Sequence, residues 1–310
     1  MIVILSEKKD KTTVEVIKWI EYYNQKWIKI NLEDSIEVHN LHDDVVLVIN
    51  GESKLYLSEV TSFWYRRGFL NYKYDLERLP SHLLPFLKEE NYHLKNYYYH
   101  LLHKKNSLGN INSSITNKLI VNDFSKSIGL KTPKSYILNT KDELKKVLKQ
   151  HKTITKAVAG NGFFYLSKTD FGTLYTSIVE NIDDYSERFA PTYFQEYIEK
   201  RYELRIFYLR GTFYPMAIFS QKDTQTQIDF RKYNKKKPNR TVPYKIPHEI
   251  EKKLQQLMKL MELDTASIDM IVNNKLEYYF LEVNPLGQFG MVSYPCNYYL
   301  EEKVAQTLIA

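Results

Sequence analysis

Cysteine is nearly missing from this chain: Cys296 is the only one in 310 residues. No intrachain disulfide can form, the spacing of a zinc site is missing, and the reducing cytoplasm is the expected compartment. Long apolar runs are missing too. The opening MIVILSEKKD reaches its charges too soon for a signal-peptide core, and nothing elsewhere approaches the ~18 uninterrupted apolar residues of a membrane span. A soluble protein with no membrane partner is expected. Glycine numbers only 10, and none of it builds a Gly-Lys-Ser/Thr phosphate loop or a Gly-x-Ser-x-Gly nucleophile elbow. Internal repeats and low-complexity tails are also missing.

What is present is enough apolar material for real cores, 43% of residues, and a formal net charge of +7. A basic balance fits an anionic partner, whether nucleotide, nucleic acid or acidic peptide. Tyrosine is abundant, 26 residues. Clusters such as Tyr97-Tyr98-Tyr99 suit either base stacking or amphipathic packing.

Along the chain, MIVILS reads as a strand, Thr12 to Asn24 as a helix and KWIKIN as a strand. DDVVLVIN and KLYLSEV read as a hairpin across Asn50-Gly51, giving a small α/β domain. Pro80 to Lys105 has a helical pattern. A helix is expected from Ser113 to Ser127 and another from Asp142 to Gln150, capped by Thr140. TITKAVAGNGFFYLSK reads as two short strands around a glycine turn, and TYFQEYIEKRYELRIFYLRGTFYPMAIFSQ as three strands. The stretch from Lys222 to Lys245 is a basic, proline-containing surface excursion. Ile250 to Glu262 is an amphipathic helix, and a last helix starts near Tyr298. The boundaries expected are 1–111 for an N-terminal α/β domain, 112–192 for a central subdomain and 193–310 for a C-terminal one.

The stretch YYFLEVNPLGQFG carries the chemistry. If YYFLEVN is a strand, Glu282 and Asn284 share a face. ASIDMIV is a strand upstream, and the two form a hairpin through Asn274 and Lys275 or through a four-residue loop ending at Glu277. Either even-length loop puts Asp269 on that face, and the longer one sets it opposite Glu282. Two carboxylates about 5 Å apart at an effective dielectric near 20 repel by roughly 3 kcal/mol. A divalent cation removes that cost, and the all-oxygen set Asp269, Glu282, Asn284 suits magnesium better than zinc. The competing reading is a solvated polar face. Lys156, followed by Gly160 and Gly162, offers a cation and backbone donors for phosphate, although Asn-Gly is also the commonest hairpin turn. Arg205 lies inside an alternating strand and needs an anion or a carboxylate there.

The order of these pieces resembles the ATP-grasp fold of carboxylate-amine ligases: Lys118 in ITNKLIVNDF, Lys156 with its glycines, QEYIEKRYELRIF, SIDMIV and FLEVNPLGQFG. It is most similar to the peptide-modifying branch that makes graspetides, the microviridin-type cyclised peptides. FWYRRGFL is also similar to that branch, and GMVSYPCNYYLEEKVA resembles the subgroup called grasp-with-spasm. The implied architecture is α/β (α+β), an ATP-grasp fold behind a Rossmann-like pre-ATP-grasp domain.

By that resemblance Lys118 and Lys156 contact ATP phosphates, with Gly160 and Gly162 in the phosphate loop. Glu196, Tyr197 and Ile198 form the adenine hinge, and Glu203 lies near the ribose. Arg205 faces the γ-phosphate. Asp269, Glu282 and Asn284 hold magnesium, with two ions implied. IDFRK is similar to a motif of the branch with Phe230 in place of Trp, which makes Asp229 and Arg231 candidates for the nucleotide or acceptor side. Arg66 and Arg67 bind the peptide or close a domain interface; independently of the resemblance, the basic excursion with Lys235, Lys236 and Lys237 either holds an acidic core or leader segment or is a solvated loop. The implied reaction joins Asp or Glu side-chain carboxylates of a precursor peptide to Thr or Ser hydroxyls, or Lys amines, through acyl phosphates. The implied partners are that leader-bearing peptide, a radical SAM protein with a SPASM domain, and a second copy of the chain; nucleic acid is not among them. Two other expectations remain: a ligase acting on a small molecule or a protein tail, and a basic nucleic-acid-binding module without turnover.

Overall fold

IVILS forms β1 (Ile2–Ser6), buried at every position, as expected of a parallel strand covered on both faces. The computed structural model describes residues 1–41, 44–73, 80–158, 162–165, 171–221 and 238–310. Helix α1 (Lys11–Tyr22) follows β1 and is started by Asp10, whose carboxylate accepts from Thr13 N–H at 2.9 Å. Next come β2 (Trp27–Asn31), β3 (Ser35–Leu41), β4 (Asp44–Ile49) and β5 (Ser53–Tyr56). β4 and β5 pair across Asn50 and Gly51, both at positive φ (53° and 74°), so the expected Asn-Gly hairpin is there. β6 (Ser62–Tyr65), β7 (Asn71–Tyr72), helix α2 (Leu84–His103) and β8 (Asn106–Leu108) follow. The strands form a sheet ordered β2-β1-β6-β8, parallel throughout, and a second ordered β5-β4-β3-β7.

Helix α3 (Lys118–Ser127) starts five residues later than the periodicity predicts. The cause is Asn117, whose side chain accepts from Leu119 N–H at 2.9 Å and caps the helix there. Lys118 is therefore the first residue of the helix rather than one in its interior. β9 (Ser135–Thr140), α4 (Lys141–Leu148, capped by Thr140 as expected), β10 (Thr153–Thr155), β11 (Gly162–Tyr165), β12 (Phe171–Leu174), β13 (Ser177–Ile178) and β14 (Arg188–Glu196) come next. β10 and β11 do not form a hairpin. β10 lies between β13 and β14 in a sheet ordered β13-β10-β14-β9, whereas β11 pairs with β12.

β15 (Lys200–Leu209), β16 (Thr212–Phe219), β17 (Arg240–Pro243), α5 (His248–Leu260), β18 (Thr265–Asn273) and β19 (Tyr278–Asn284) make the antiparallel sheet β17-β16-β15-β18-β19. One face is apolar. Leu204, Ile206, Ile268, Met270, Phe280 and Val283 pack there with Val121 of α3 and Leu254, Leu257 and Met258 of α5, each buried aliphatic or aromatic side chain contributing roughly 1.5–3 kcal/mol. The opposite face carries the polar Glu203, Arg205, Asp269, Glu282 and Asn284 alongside the apolar Phe207, Met216 and Ile218. Helices α6 (Gly290–Cys296) and α7 (Leu300–Ile309) end the chain.

Contacts divide the chain into two compact units: 1–114 with 288–294 and 298–310, and 115–287 with 295–297. Among the described residues no helix is long and apolar enough to cross a membrane.

Candidate functional site

The β18–β19 hairpin turns on three residues, 274 to 276, because Asn273 N–H donates to Glu277 O at 3.1 Å and Leu276 adopts a φ of 59°. That odd loop differs from both even loops expected from the sequence and by itself would turn Glu282 away from Asp269. A bulge corrects it. Met270 pairs with Phe280 but Asp269 pairs with Glu282, so Leu281 is the extra residue that brings the two carboxylates opposite each other. Asn284, opposite Ser267, lies two residues further along the same face.

The adjoining strand supplies cations. Arg205 on β15 is in register with Asp269, and its Nη1 donates to Asp269 Oδ2 at 2.6 Å. On the other side Lys118 Nζ lies 3.3 Å from Glu282 Oε2 and donates to Ala157 O at 3.0 Å. The repulsion anticipated between bare carboxylates is thus offset by one cation on each. Glu203 is on the same face of β15 and is paired with Lys200, a residue that the sequence reading did not single out.

The Pro and Gly after Asn284 have a geometric reason. Asn284 O accepts from Gly287 N–H at 3.1 Å and Asn284 Oδ1 accepts from Leu286 N–H at 3.0 Å, a β-turn with Pro at its second position and an Asx turn laid over it. Gly287 ends against the sheet. A Cβ there would stand 2.3 Å from Ser267 Cβ and 3.1 Å from Arg205 Nη2, so only glycine permits this closeness beside the arginine.

Lys156 comes one residue after β10, with Nζ 5.8 Å from the ring centroid of Tyr193. Tyr193 is in turn fixed by Ser135 Oγ at 2.9 Å and Gln195 Nε2 at 3.0 Å. Burial raises the Tyr193 phenol pKa, Ser135 opposes the rise and the charge of Glu282 adds to it. Glu196 ends β14, and Tyr197 and Ile198 belong to the connection into β15, so the expected hinge joins the two sheets. Its backbone is held by Glu196 N–H to Lys134 O and Tyr197 N–H to Lys152 O, both 2.8 Å.

Arg66 and Arg67 belong to the other unit. Their Nε atoms lie 3.6 and 3.1 Å from Asp10 Oδ2, and Gln288 Nε2 donates to the same oxygen at 3.3 Å. Burial lowers the Arg66 pKa to about 10, which leaves it charged at neutral pH. Gly162 begins β11. Gly160, Asp229, Arg231, Lys235, Lys236 and Lys237 lie outside the described residues. Of the Tyr97-Tyr98-Tyr99 cluster, Tyr98 and Tyr99 are buried packing residues, whereas Tyr97 is exposed.

Among the described residues no three His, Cys, Asp or Glu side chains converge, so a zinc set is not formed there. Two facing carboxylates and an amide oxygen do fit magnesium, which usually takes one or two carboxylates and completes its shell with water and substrate phosphates.

The chain is similar over its whole length to the macrocyclase MdnC of Microcystis aeruginosa, solved with the precursor peptide MdnA. Identity is 26%, with 100% of this chain and 99% of that chain covered at a TM-score of 0.79. A RiPP-associated ATP-grasp ligase of Chryseobacterium gregarium, solved with ADP and a leader and core peptide, is 23% identical, with 99% and 94% covered and a TM-score of 0.79. D-alanine–D-alanine ligase of Bacillus anthracis, complexed with ATP, shares the fold at 13% identity and a TM-score of 0.56, with 100% and 96% covered. No curated protein sequence matches this chain. The RimK-like ATP-grasp domain matches residues 116–308, which contain α3, the hinge, β15 and the β18–β19 hairpin, and the chain belongs to that family.

Proposed function

We propose that this protein is an ADP-forming ligase that activates Asp or Glu side chains of a ribosomal precursor peptide and joins them to Thr or Ser hydroxyls, or Lys amines, of the same peptide. The observation that carries this reading is the row Arg205, Asp269, Glu282 and Lys118, two carboxylates and two cations meeting on the polar face of one sheet. The full-length likeness to a macrocyclase solved with its precursor peptide supports the choice of substrate.

A carboxylate is a poor electrophile and needs activation. Its oxygen attacks the γ-phosphorus of ATP, the bond to the β-phosphate oxygen breaks and ADP leaves; the hydroxyl or amine then attacks the acyl phosphate, loses its proton and releases phosphate. Magnesium, held by Asp269, Glu282 and Asn284, supplies charge neutralisation on the phosphates. Glu196, Tyr197 and Ile198 receive the adenine, and Glu203 the ribose. Lys118, Lys156 and the backbone at Gly160 and Gly162 bind phosphate oxygens, and Arg205 stabilises charge on the transferring phosphoryl group. No protein nucleophile takes part.

Finer assignments belong to the same reading. Two magnesium ions serve the site, Asp229 and Arg231 act on the nucleotide or acceptor side, and Arg66, Arg67 and Lys235 to Lys237 contact the peptide. The chain works in the cytoplasm as a three-part enzyme, in the grasp-with-spasm setting beside a radical SAM protein, and pairs with a second copy. The test is ADP release with and without a Thr- and Asp/Glu-rich peptide encoded nearby, read with the peptide's mass. Peptide-dependent ADP release with loss of one water per bond is expected. ATP binding without turnover on any such peptide would move the substrate to a small molecule or a protein tail.

A further inference from the structure

Lys200 is almost shut off from solvent. Its side chain is 2% exposed and that of Glu203 is 8%, and Lys200 Nζ donates to Glu203 Oε1. Three residues apart on a regular strand, the two would point to opposite faces. A bulge at Arg201, between the pairs Lys200–Asn273 and Tyr202–Val272, turns Lys200 onto the face that carries Glu203 and Arg205. Stability alone gives little reason for this arrangement, because a buried ion pair is often no better than two apolar side chains of the same volume.

Position supplies a reason. The hinge Glu196 to Ile198 lies just before Lys200, and Arg205 with Asp269 lies two residues beyond Glu203. A nucleotide with its base at the hinge and its phosphates at Arg205 places its sugar beside Glu203. Sugar hydroxyls donate, and a carboxylate only accepts. A carboxylate free to rotate gives weak preference, whereas one with Oε1 fixed presents its second oxygen in one direction. We propose that Lys200 is a positioning residue that fixes the Glu203 carboxylate toward the ribose, so that the pair sets a preference for ribonucleotides over deoxyribonucleotides. The proposal rests on the ATP-dependent ligase reading.

The test is calorimetric binding of magnesium with ADP and with 2′-deoxy-ADP and 3′-deoxy-ADP. The proteins compared are the wild type, Lys200→Arg, Lys200→Met, Glu203→Gln and the double variant Lys200→Met/Glu203→Gln. The wild type is expected to prefer ADP over at least one deoxy analogue by about tenfold or more, the loss of a hydrogen bond to a charged group. Lys200→Met is expected to lose that preference while still binding ADP, Lys200→Arg to keep most of it, and the double variant to match Glu203→Gln. Because Lys200→Met leaves a buried carboxylate without its cation, the double variant, which removes both charges, serves as the folded reference. A double variant that keeps the wild-type preference, or a folded Lys200→Met that does, would overturn the proposal. Equal wild-type affinity for all three nucleotides would also overturn it and leave the ligase reading standing; binding of none would remove both.

Discussion

Arg205 Nη1 and Asp269 Oδ2 are 2.6 Å apart on neighbouring strands, and each side chain is only 10% exposed. The pair closes the polar face beside Glu282. Removing one partner of a buried pair leaves the other charge without compensation, at about 3–5 kcal/mol. Arg205→Met is therefore expected to lower unfolding free energy by several kcal/mol in a denaturant titration and to abolish ADP release. Arg205→Lys keeps the charge but not the planar fork; it should unfold near the wild type and still lose about 10²-fold or more in kcat/KM.

Lys118 Nζ lies 3.3 Å from Glu282 Oε2 with both side chains mostly covered, and under the proposed magnesium site it would compete with the ion for that carboxylate. At about 4 Å and an effective dielectric near 20 a unit charge pair is worth ~4 kcal/mol before desolvation is subtracted. Lys118→Met should therefore raise affinity for manganese alone, measured by electron paramagnetic resonance, while lowering affinity for ADP. Weaker binding of both would mean that Lys118 does not oppose the metal.

Gly287 lies against Ser267 and Arg205. Gly287→Ala must push one of them aside, at about 1–3 kcal/mol for an overpacked contact, and should lower kcat by ~10²-fold through displacement of the arginine. Adding Ser267→Gly makes room for the methyl group. Recovery of activity in the double variant is expected, and its absence would place the effect in the turn itself.

Asp10 offers a pH-dependent test in the other unit. Burial pushes its carboxyl pKa up, but Arg66, the Thr13 N–H, Arg67 and Gln288 together hold it below the usual value. A depressed carboxylate pKa contributes stability that is full above the unfolded-state value of about 3.9 and is lost as pH falls through the folded-state value. Asp10→Asn keeps the helix cap and removes the charge. The stability gap between wild type and variant, from denaturant melts, should be constant from pH 7 to about 5 and shrink below about 4. A gap that widens in acid would contradict the assignment.

Alternation made much of the site legible. A period of two put Asp269, Glu282 and Asn284 on one face and predicted that Arg205 needed an anion. Bulges were not legible, because nothing in the alternation marks Leu281 or Arg201 as an extra residue. The first cancels an odd loop and restores the facing carboxylates; the second brings Lys200 beside Glu203, which regular alternation forbids. Apolar periodicity continues upstream of Lys118 and places it inside a longer helix, whereas the local bond to Asn117 decides the start. The two strands around the Lys156 glycines were legible as strands, yet they belong to different sheets: β10 pairs with β13 and β14 further along the chain, whereas β11 pairs with the next strand, β12.

The central claim is that Asp269 and Glu282 serve magnesium and a nucleotide together, and its most direct test is calorimetric titration of ADP, with magnesium and with a chelator, into the wild type and Glu282→Ala. The account predicts that magnesium tightens ADP binding in the wild type and that this gain vanishes in Glu282→Ala, which still binds ADP through the hinge and Lys156. An equal magnesium-dependent gain in both proteins would contradict it.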